Sequence, residues 1–151
     1  MIRFSHFKSI NQAITQVKKL SLGIKREDMP QIVSGKLDDF KLFLQDNGIK
    51  YHTENIYARN LKPTQKEFNT DKVENILTAP QPTNKWHDEN YPIIISSDNY
   101  VLDGHHRWLA SYVMNDSVLS LKVDMDITNL LAKSHTYDNV KYKKVHEEKH
   151  G

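Results

Sequence analysis

The feature that most constrains the fold of this chain is an abrupt change of pattern at Asp103-Gly104. Two apolar segments, residues 92–95 and 100–102, precede this dipeptide with a polar turn between them, which is typical of two successive strands. Immediately after it, apolar residues recur at helical spacing. The pattern therefore predicts a strand that ends at the dipeptide and a helix that begins at Gly104 or His105.

The first turn of that helix contains His105, His106 and Arg107, which together suit an anion. Free backbone N–H groups and the positive end of the helix dipole lie at a helix N-terminus. Arg107 adds a planar fork of donors, and the histidines add donors that can gain charge. Gly104 lets a ligand approach the backbone closely. Each of these residues alone is better explained by capping or solvation, but residues 103–107 together favour a phosphate site.

The composition is that of one compact domain. A chain of 151 residues, 38% of them hydrophobic, is long enough to bury a core. No apolar run approaches the ~20 residues that span a bilayer, and the N-terminus lacks the profile of a signal peptide. The absence of cysteine excludes disulfides and thiolate metal sites. We therefore expect a cytoplasmic protein without a membrane partner, and the net charge of +2 is too small to indicate nucleic acid on its own.

Periodicity predicts an α+β fold, a small mixed sheet with packed helices. We divide the chain into a helical N-terminal extension packed on the core (1–55), a core (56–137) and a charged, frayed or partner-binding tail (138–151). The further predicted elements are helices near residues 10–20 and 37–44, one or two strands in 49–58, a helix capped by Asn69 or Thr70, a strand at 118–123 and a helix at 127–133.

Two connecting segments allow a functional interpretation. Residues 80–89 are polar with two prolines, which is typical of a mobile loop at the rim of a site. Within them, residues 86–89 contain metal-ligand atoms, but we favour a solvated loop because the single histidine has no spaced partner. Residues 23–32 could close over a substrate and deliver Arg26 or Gln31, although we favour an ordinary connection between helices.

Residues 92–110 read P-I-I-I-S-S-D-N-Y-V-L-D-G-H-H-R-W-L-A and resemble the central strand–strand–helix unit of the ParB/sulfiredoxin superfamily. Residues 61–67 (L-K-P-T-Q-K-E) resemble that superfamily's opening segment, in which a short strand leads to a polar active-site turn and a helix. The similarity covers about residues 56–132, half of the chain. It implies a nucleotide-phosphate pocket, used by partition proteins for CTP, by sulfiredoxins for ATP and by free serine kinases to phosphorylate an amino-acid hydroxyl.

The D-G-H-H-R sequence of residues 103–107 is most similar to that of the free serine kinases. Sulfiredoxins have a catalytic cysteine where this chain has His105, so sulfiredoxin chemistry is excluded. Partition proteins usually have G-x-R-R, whereas here His106 precedes the arginine. The kinases place a glutamate in the upstream turn as general base, where this chain offers Gln65, with Glu67 two residues further on.

The resemblance implies a phosphotransferase that moves a phosphoryl group from ATP or ADP, with CTP as an alternative, to a hydroxyl acceptor in the presence of Mg²⁺. Gly104, His105, His106 and Arg107 would bind the phosphates, because phosphoryl transfer depends mainly on positioning and charge neutralisation. Short superfamily members with a helical extension and the L-K-P-T-Q stretch resemble phage proteins, which suggests a phage origin.

In this interpretation the catalytic set is Asp103, Glu67, Gln65 and His105. Asp103 would orient a histidine, hold Mg²⁺ or take the acceptor proton. Glu67 is the candidate base, and Gln65 would orient the acceptor hydroxyl. Two alternatives stay open: a CTP- or ATP-responsive DNA-binding module similar to partition proteins, and a catalytically inactive adaptor.

Overall fold

The structure is a computed structural model that describes residues 6–33 and 35–142. The helices are α1 (Phe7–Lys18), α2 (Leu37–Asp46), α3 (Thr70–Leu77), α4 (Asn84–His87), α5 (His105–Val113) and α6 (Ile127–Ser134), with short 3₁₀ helices at Arg26–Asp28 and Ala58–Asn60. The strands are β1 (Gln31–Ile32), β2 (Tyr51–Tyr57), β3 (Lys62–Pro63), β4 (Ile93–Ile95), β5 (Tyr100–Asp103), β6 (Ser117–Val123) and β7 (Val140–Lys141).

Five strands form a mixed sheet in the order β2-β6-β4-β5-β3. β2 is antiparallel to β6 and β4 is antiparallel to β5, whereas β4 is parallel to β6 and β3 is parallel to β5. A separate antiparallel pair joins β1 to β7. The prediction of an α+β fold with a small mixed sheet is therefore confirmed.

The sheet separates two apolar cores, since side chains of a strand point alternately to its two faces. On one face Ile93 and Ile95 of β4 pack with residues of α1, α3 and α5. On the other face Ile94 and Leu102 pack with residues of α2 and α6. Helices therefore cover both faces. Strands β4 and β5 are largely buried within the sheet. Their packing therefore fixes the position of the turn that follows β5.

The predicted helices and strands occur within a few residues of their expected bounds. Residues 49–58 supply a single strand, β2. Asn69 is the N-cap of α3, and its side chain accepts the backbone N–H of Lys72. The helix after β5 begins at His105. The proposed division of the chain at residue 55 falls inside β2, so the N-terminal segment contributes to the sheet as well as to its helical cover.

Two predictions about irregular segments are wrong for part of their length. Residues 80–89 include helix α4, and Trp86 is only 1% exposed because its indole packs in the core and donates to the Asp116 carboxylate at 3.0 Å. The segment from residue 138 was expected to be a frayed or partner-binding tail, but Val140–Lys141 forms strand β7 against β1. The rest of the charged tail, from residue 143, lies outside the described residues. In the described part of the chain, no helix is both long and apolar enough to cross a membrane.

Candidate anion-binding site

The turn between β5 and α5 depends on Gly104. Its φ of 90° lies in the left-handed region, where a side chain is unfavourable. A Cβ at this position would lie 2.6 Å from Cγ2 of Ile93 and 2.9 Å from Nη2 of Arg107. The glycine is therefore required by the backbone and by its buried neighbours. This reason is local, and it is independent of the ligand approach that the sequence suggested.

A cavity of about 580 Å³ opens at this turn. Its size is within the range of small-molecule sites. The turn and α5 contribute residues 103–107, residues 89–92 and Ile94 form another part of the lining, and the remainder comes from Lys72 and from several residues between Arg26 and Lys41. Its charged residues are Arg26, Lys41, Lys72 and Arg107 against Asp38, Glu89 and Asp103. The cationic residues exceed the anionic ones by one, so the lining has a small positive excess.

His105 is 2% exposed and lines the cavity. Its Nε2 accepts the backbone N–H of Thr64 at 3.2 Å, so the neutral ring carries its proton on Nδ1. Among the described residues Nδ1 has no hydrogen-bond partner. Burial, together with the charge of Arg26, holds the pKa of His105 well below its usual value. His105 is therefore a neutral donor with an unused N–H, and the expectation that it gains charge is wrong.

His106 has a different environment, although it is also buried and lines the cavity. Its Nε2 accepts the backbone N–H of Asn69 at 2.9 Å. Asn69 is the N-cap of α3, so this bond attaches the start of α3 to the first turn of α5. Phe68 lies edge-on to both histidine rings, with centroid distances of 6.2 Å. The structure thus gives His106 a positioning contact in addition to its place at the cavity.

Asp103 and Arg107 lie at the two ends of the turn, and each alters the ionisation of the other. Loss of water raises the pKa of Asp103, while Arg107, Arg26 and the backbone N–H groups of Gly104 and Ile32 oppose the rise. Loss of water likewise lowers the pKa of Arg107, and Asp103 and Asp88 oppose that change. Nη1 of Arg107 donates to the carbonyl of Tyr91, which fixes the guanidinium against residues 89–92.

The segment of residues 21–33, here called the strap, runs alongside the turn that follows β3. The Ser21 hydroxyl donates to the carbonyl of Gln65 at 2.7 Å, and the backbone N–H of Lys66 donates to the Ile24 carbonyl at 2.9 Å. At its far end the strap becomes β1 and pairs with β7. These bonds hold the strap at the cavity, so the segment that connects α1 to α2 also contributes to the cavity wall.

Arg26 and Gln31 are the two strap residues that bring polar groups to the cavity. Arg26 is 3% exposed, and its charge affects both Asp103 and His105. Gln31 is 6% exposed, and its Nε2 has no hydrogen-bond partner among the described residues. A buried amide without a partner costs free energy, typically about 1–3 kcal/mol. Nε2 of Gln31 and Nδ1 of His105 are therefore donors in the lining that have no hydrogen-bond partner among the described residues.

Gln65 and Glu67, the other predicted catalytic residues, contact the strap and are not part of the cavity lining. Oε1 of Gln65 accepts from Nη1 of Arg26 at 3.3 Å, and its amide nitrogen donates to the Glu67 carbonyl at 2.7 Å. The Glu67 carboxylate accepts the backbone N–H of Arg26 at 2.9 Å. The structure thus brings residues 103–107 together at the cavity. Gln65 and Glu67 lie outside the lining and hold Arg26 in place by hydrogen bonds.

Sequence reasoning did not single out Lys72 and Tyr91, which also line the cavity. Lys72 lies in the first turn of α3, three residues after the Asn69 cap. Tyr91 follows the metal-like residues 86–89, where His87 contacts the Asp116 carboxylate at 3.2 Å and the Ser117 carbonyl at 2.8 Å. Among the described residues no three His, Asp or Glu side chains form a group that could hold a metal ion. The sequence did contain a signal for Tyr91, because this residue directly precedes Pro92 and the central strand β4.

Comparison of the chain with protein-family models, with curated proteins and with solved structures finds no significant match. Function must therefore be inferred from the geometry of the cavity.

Proposed function

We propose that the protein is a nucleotide-binding phosphotransferase with a ParB/sulfiredoxin-like core, and that it moves a phosphoryl group from ATP or ADP to a hydroxyl acceptor. The observation that carries the proposal is that Nδ1 of His105, in the first turn of α5, has no hydrogen-bond partner among the described residues. Buried polar groups nearly always have a partner. A phosphate oxygen would satisfy Nδ1 and would also accept from the free backbone N–H groups of the helix N-terminus.

The surrounding charges support an anionic ligand. Arg107 lies in the same helical turn, and Arg26 reaches the same space from the strap. The charges of both arginines lower the pKa of Asp103, so both guanidinium groups lie near that carboxyl group. Arginine suits phosphate because its planar fork of donors can make two parallel hydrogen bonds. A phosphate would separate the two cations, and Gln31 would add a neutral donor.

Asp103 is better situated than Glu67 to serve as the general base. A base must lie within hydrogen-bond reach of the proton that it removes, and Asp103 lines the cavity. Loss of water raises the pKa of Asp103, which makes its carboxylate a stronger base than that of an exposed aspartate. Glu67 is not part of the lining, and its carboxylate already accepts the backbone N–H of Arg26.

Mg²⁺ fits the same arrangement, because this cation is commonly held by one or two carboxylates together with the phosphates of its nucleotide. Asp103 would supply the carboxylate, and the ion would neutralise charge on the phosphate oxygens. The residues of the chain would do the remaining work: His105, Arg107 and Arg26 would hold and orient the phosphates, and Asp103 would accept the hydroxyl proton.

A transfer assay with matched variants tests the proposal. The protein is incubated with γ-labelled ATP and Mg²⁺, together with a pool of small hydroxyl compounds or with DNA. We expect Asp103→Asn to lower the rate of transfer by ~10²–10⁴, because a neutral isostere removes the base. Binding of the nucleotide without Mg²⁺ should be spared, since the phosphate contacts of His105, Arg107 and Arg26 remain. Glu67→Gln should leave the rate within a few-fold of the parent's.

Equal losses in the two variants would contradict the assignment of Asp103. No transfer or hydrolysis with ATP, ADP, CTP or GTP would contradict the phosphotransferase. If the protein instead bound duplex DNA with a steep salt dependence that responds to CTP, the DNA-binding alternative would replace it.

A further inference from the structure

Tyr91 lies at the rim of the cavity and is 57% exposed. Its backbone is fixed: its N–H donates to the Asp88 carbonyl at 3.0 Å, and its carbonyl accepts from Nη1 of Arg107. Its side chain, in contrast, has no hydrogen bond or ring contact among the described residues. The ring is thus free for another partner, while its backbone is bonded directly to a residue of the anion site.

Two other exposed tyrosines differ from Tyr91, because the side chain of each has a partner. The hydroxyl of Tyr57, which is 41% exposed, donates to Asn115. Tyr142, which is 46% exposed, stacks on the His135 ring at a centroid distance of 5.8 Å. Neither residue lines the cavity. Tyr91 therefore combines an unpartnered aromatic ring with a place beside the candidate phosphate site.

The cavity also has apolar lining that a bare phosphate would not use. Ile32, Val33 and Leu37 are half-buried there, and Pro92 and Ile94 complete the apolar part. A ligand with an anionic group at the start of α5 and a flat apolar group elsewhere would cover both kinds of surface. A nucleotide has this composition.

We infer that Tyr91 is a stacking platform for the nucleobase, so that the cavity recognises a nucleoside phosphate and not an inorganic phosphate alone. The inference rests on the proposed nucleotide-binding function, and it names the residue that distinguishes a nucleotide from its polyphosphate. Stacking of a base on an aromatic side chain is tolerant of base identity, since every base presents a π face. Arg107 and Tyr91 would then act on two ends of the same ligand.

The test compares ATP with inorganic tripolyphosphate, both with Mg²⁺, by calorimetric titration of the full chain. Tyr91→Ala should weaken ATP binding roughly 5- to 150-fold, the range of measured base–aromatic contacts, and should leave tripolyphosphate affinity unchanged. Tyr91→Phe keeps the ring and should bind ATP as the parent does. Tyr57→Ala, at an exposed tyrosine away from the cavity, is the matched control.

The outcomes separate this inference from the proposed function. If Tyr91→Ala binds ATP as tightly as the parent, or loses ATP and tripolyphosphate equally, the platform is wrong while the anion site stands. If the parent binds tripolyphosphate as tightly as ATP, the nucleobase contributes nothing and the platform is again wrong. If the parent binds neither compound, the proposed function fails and the inference fails with it.

Discussion

His105 shows how one buried side chain can be made to serve as a neutral donor. Loss of water is the main cause of its lowered pKa, and the nearby charge of Arg26 acts in the same direction. The Thr64 N–H donates to Nε2, and Nδ1 has no hydrogen-bond partner in the part of the chain that the structure describes. A neutral N–H donor binds a phosphate oxygen without competing for a proton, so its contact should persist across the physiological pH range.

The same burial predicts a pH dependence of stability. In the unfolded chain His105 takes up a proton near its usual pKa of 6.5, whereas in the folded chain it stays neutral. Below about pH 6.5 the unfolded state therefore binds more protons, and the free energy of unfolding should fall by up to about 1.4 kcal/mol per pH unit for this one group. Asp103 has the opposite effect, because its pKa is raised in the folded state. Its contribution to the free energy of unfolding is lost as the pH rises above its usual pKa of 3.8.

Denaturant unfolding at several pH values between 7 and 5 measures this effect. His105→Gln should reduce the slope of the free energy of unfolding against pH by about 1.4 kcal/mol per pH unit, which corresponds to one proton. His52 is exposed, so His52→Gln is the control substitution. Comparing slopes avoids the general loss of stability that a buried substitution brings. A slope in His105→Gln equal to that of the parent would show that His105 titrates normally in the folded protein.

At the scale of elements, the junction of β5 and α5 was predictable because its signals are local. The apolar run of residues 100–102 stops at a dipeptide typical of turns, and the helical spacing begins at once. Asn69 was predictable as a cap for the same reason, since its side chain bonds three residues along the chain. Such patterns predict where an element begins, and here they also predicted that residues 103–107 form a possible ligand site.

The strap was not predictable, because its position depends on bonds between distant parts of the chain. Gln31 reaches the cavity because β1 pairs with β7, which the sequence indicated only as a charged tail. Arg26 is placed by Gln65 and Glu67, residues that the sequence suggested for catalysis. Polar side chains that catalyse and polar side chains that position a neighbour have the same local sequence pattern. Only the tertiary contacts distinguish the two roles.

The junction itself gives a prediction with a matched control. Gly104→Ala should destabilise the fold by about 2–5 kcal/mol, because it adds the cost of a left-handed side chain to an overlap with Ile93. Gly48 has a φ of 70° but nothing within 4 Å of an added Cβ, so Gly48→Ala should cost only about 1–2 kcal/mol. Thermal or denaturant unfolding of the two variants measures the difference. Equal costs would show that the junction has room for a side chain.

At the scale of the whole molecule, the two faces of the sheet contribute differently to the cavity. Helices α3 and α5, which share one apolar core, supply Lys72 and residues 105–107. The strap and α2, which pack on the other core, supply another part of the wall, which includes Arg26, Gln31, Asp38 and Lys41. A ligand in the cavity would therefore contact both layers, and its binding should stabilise the whole fold and not one helix. A ligand at ~100 times its dissociation constant would add about 2.7 kcal/mol.

The most direct test of the anion site is a calorimetric titration of ATP with Mg²⁺ into the parent, Arg107→Ala and Arg59→Ala. Arg107 lines the cavity, whereas Arg59 lies over the Tyr112 ring and outside the lining. Loss of a charge-assisted contact predicts that Arg107→Ala binds about 1.5–3 kcal/mol more weakly than the parent. Arg59→Ala should bind as the parent does. Once unfolding curves show that Arg107→Ala is folded, an ATP affinity equal to that of the parent would contradict the phosphate site at the start of α5.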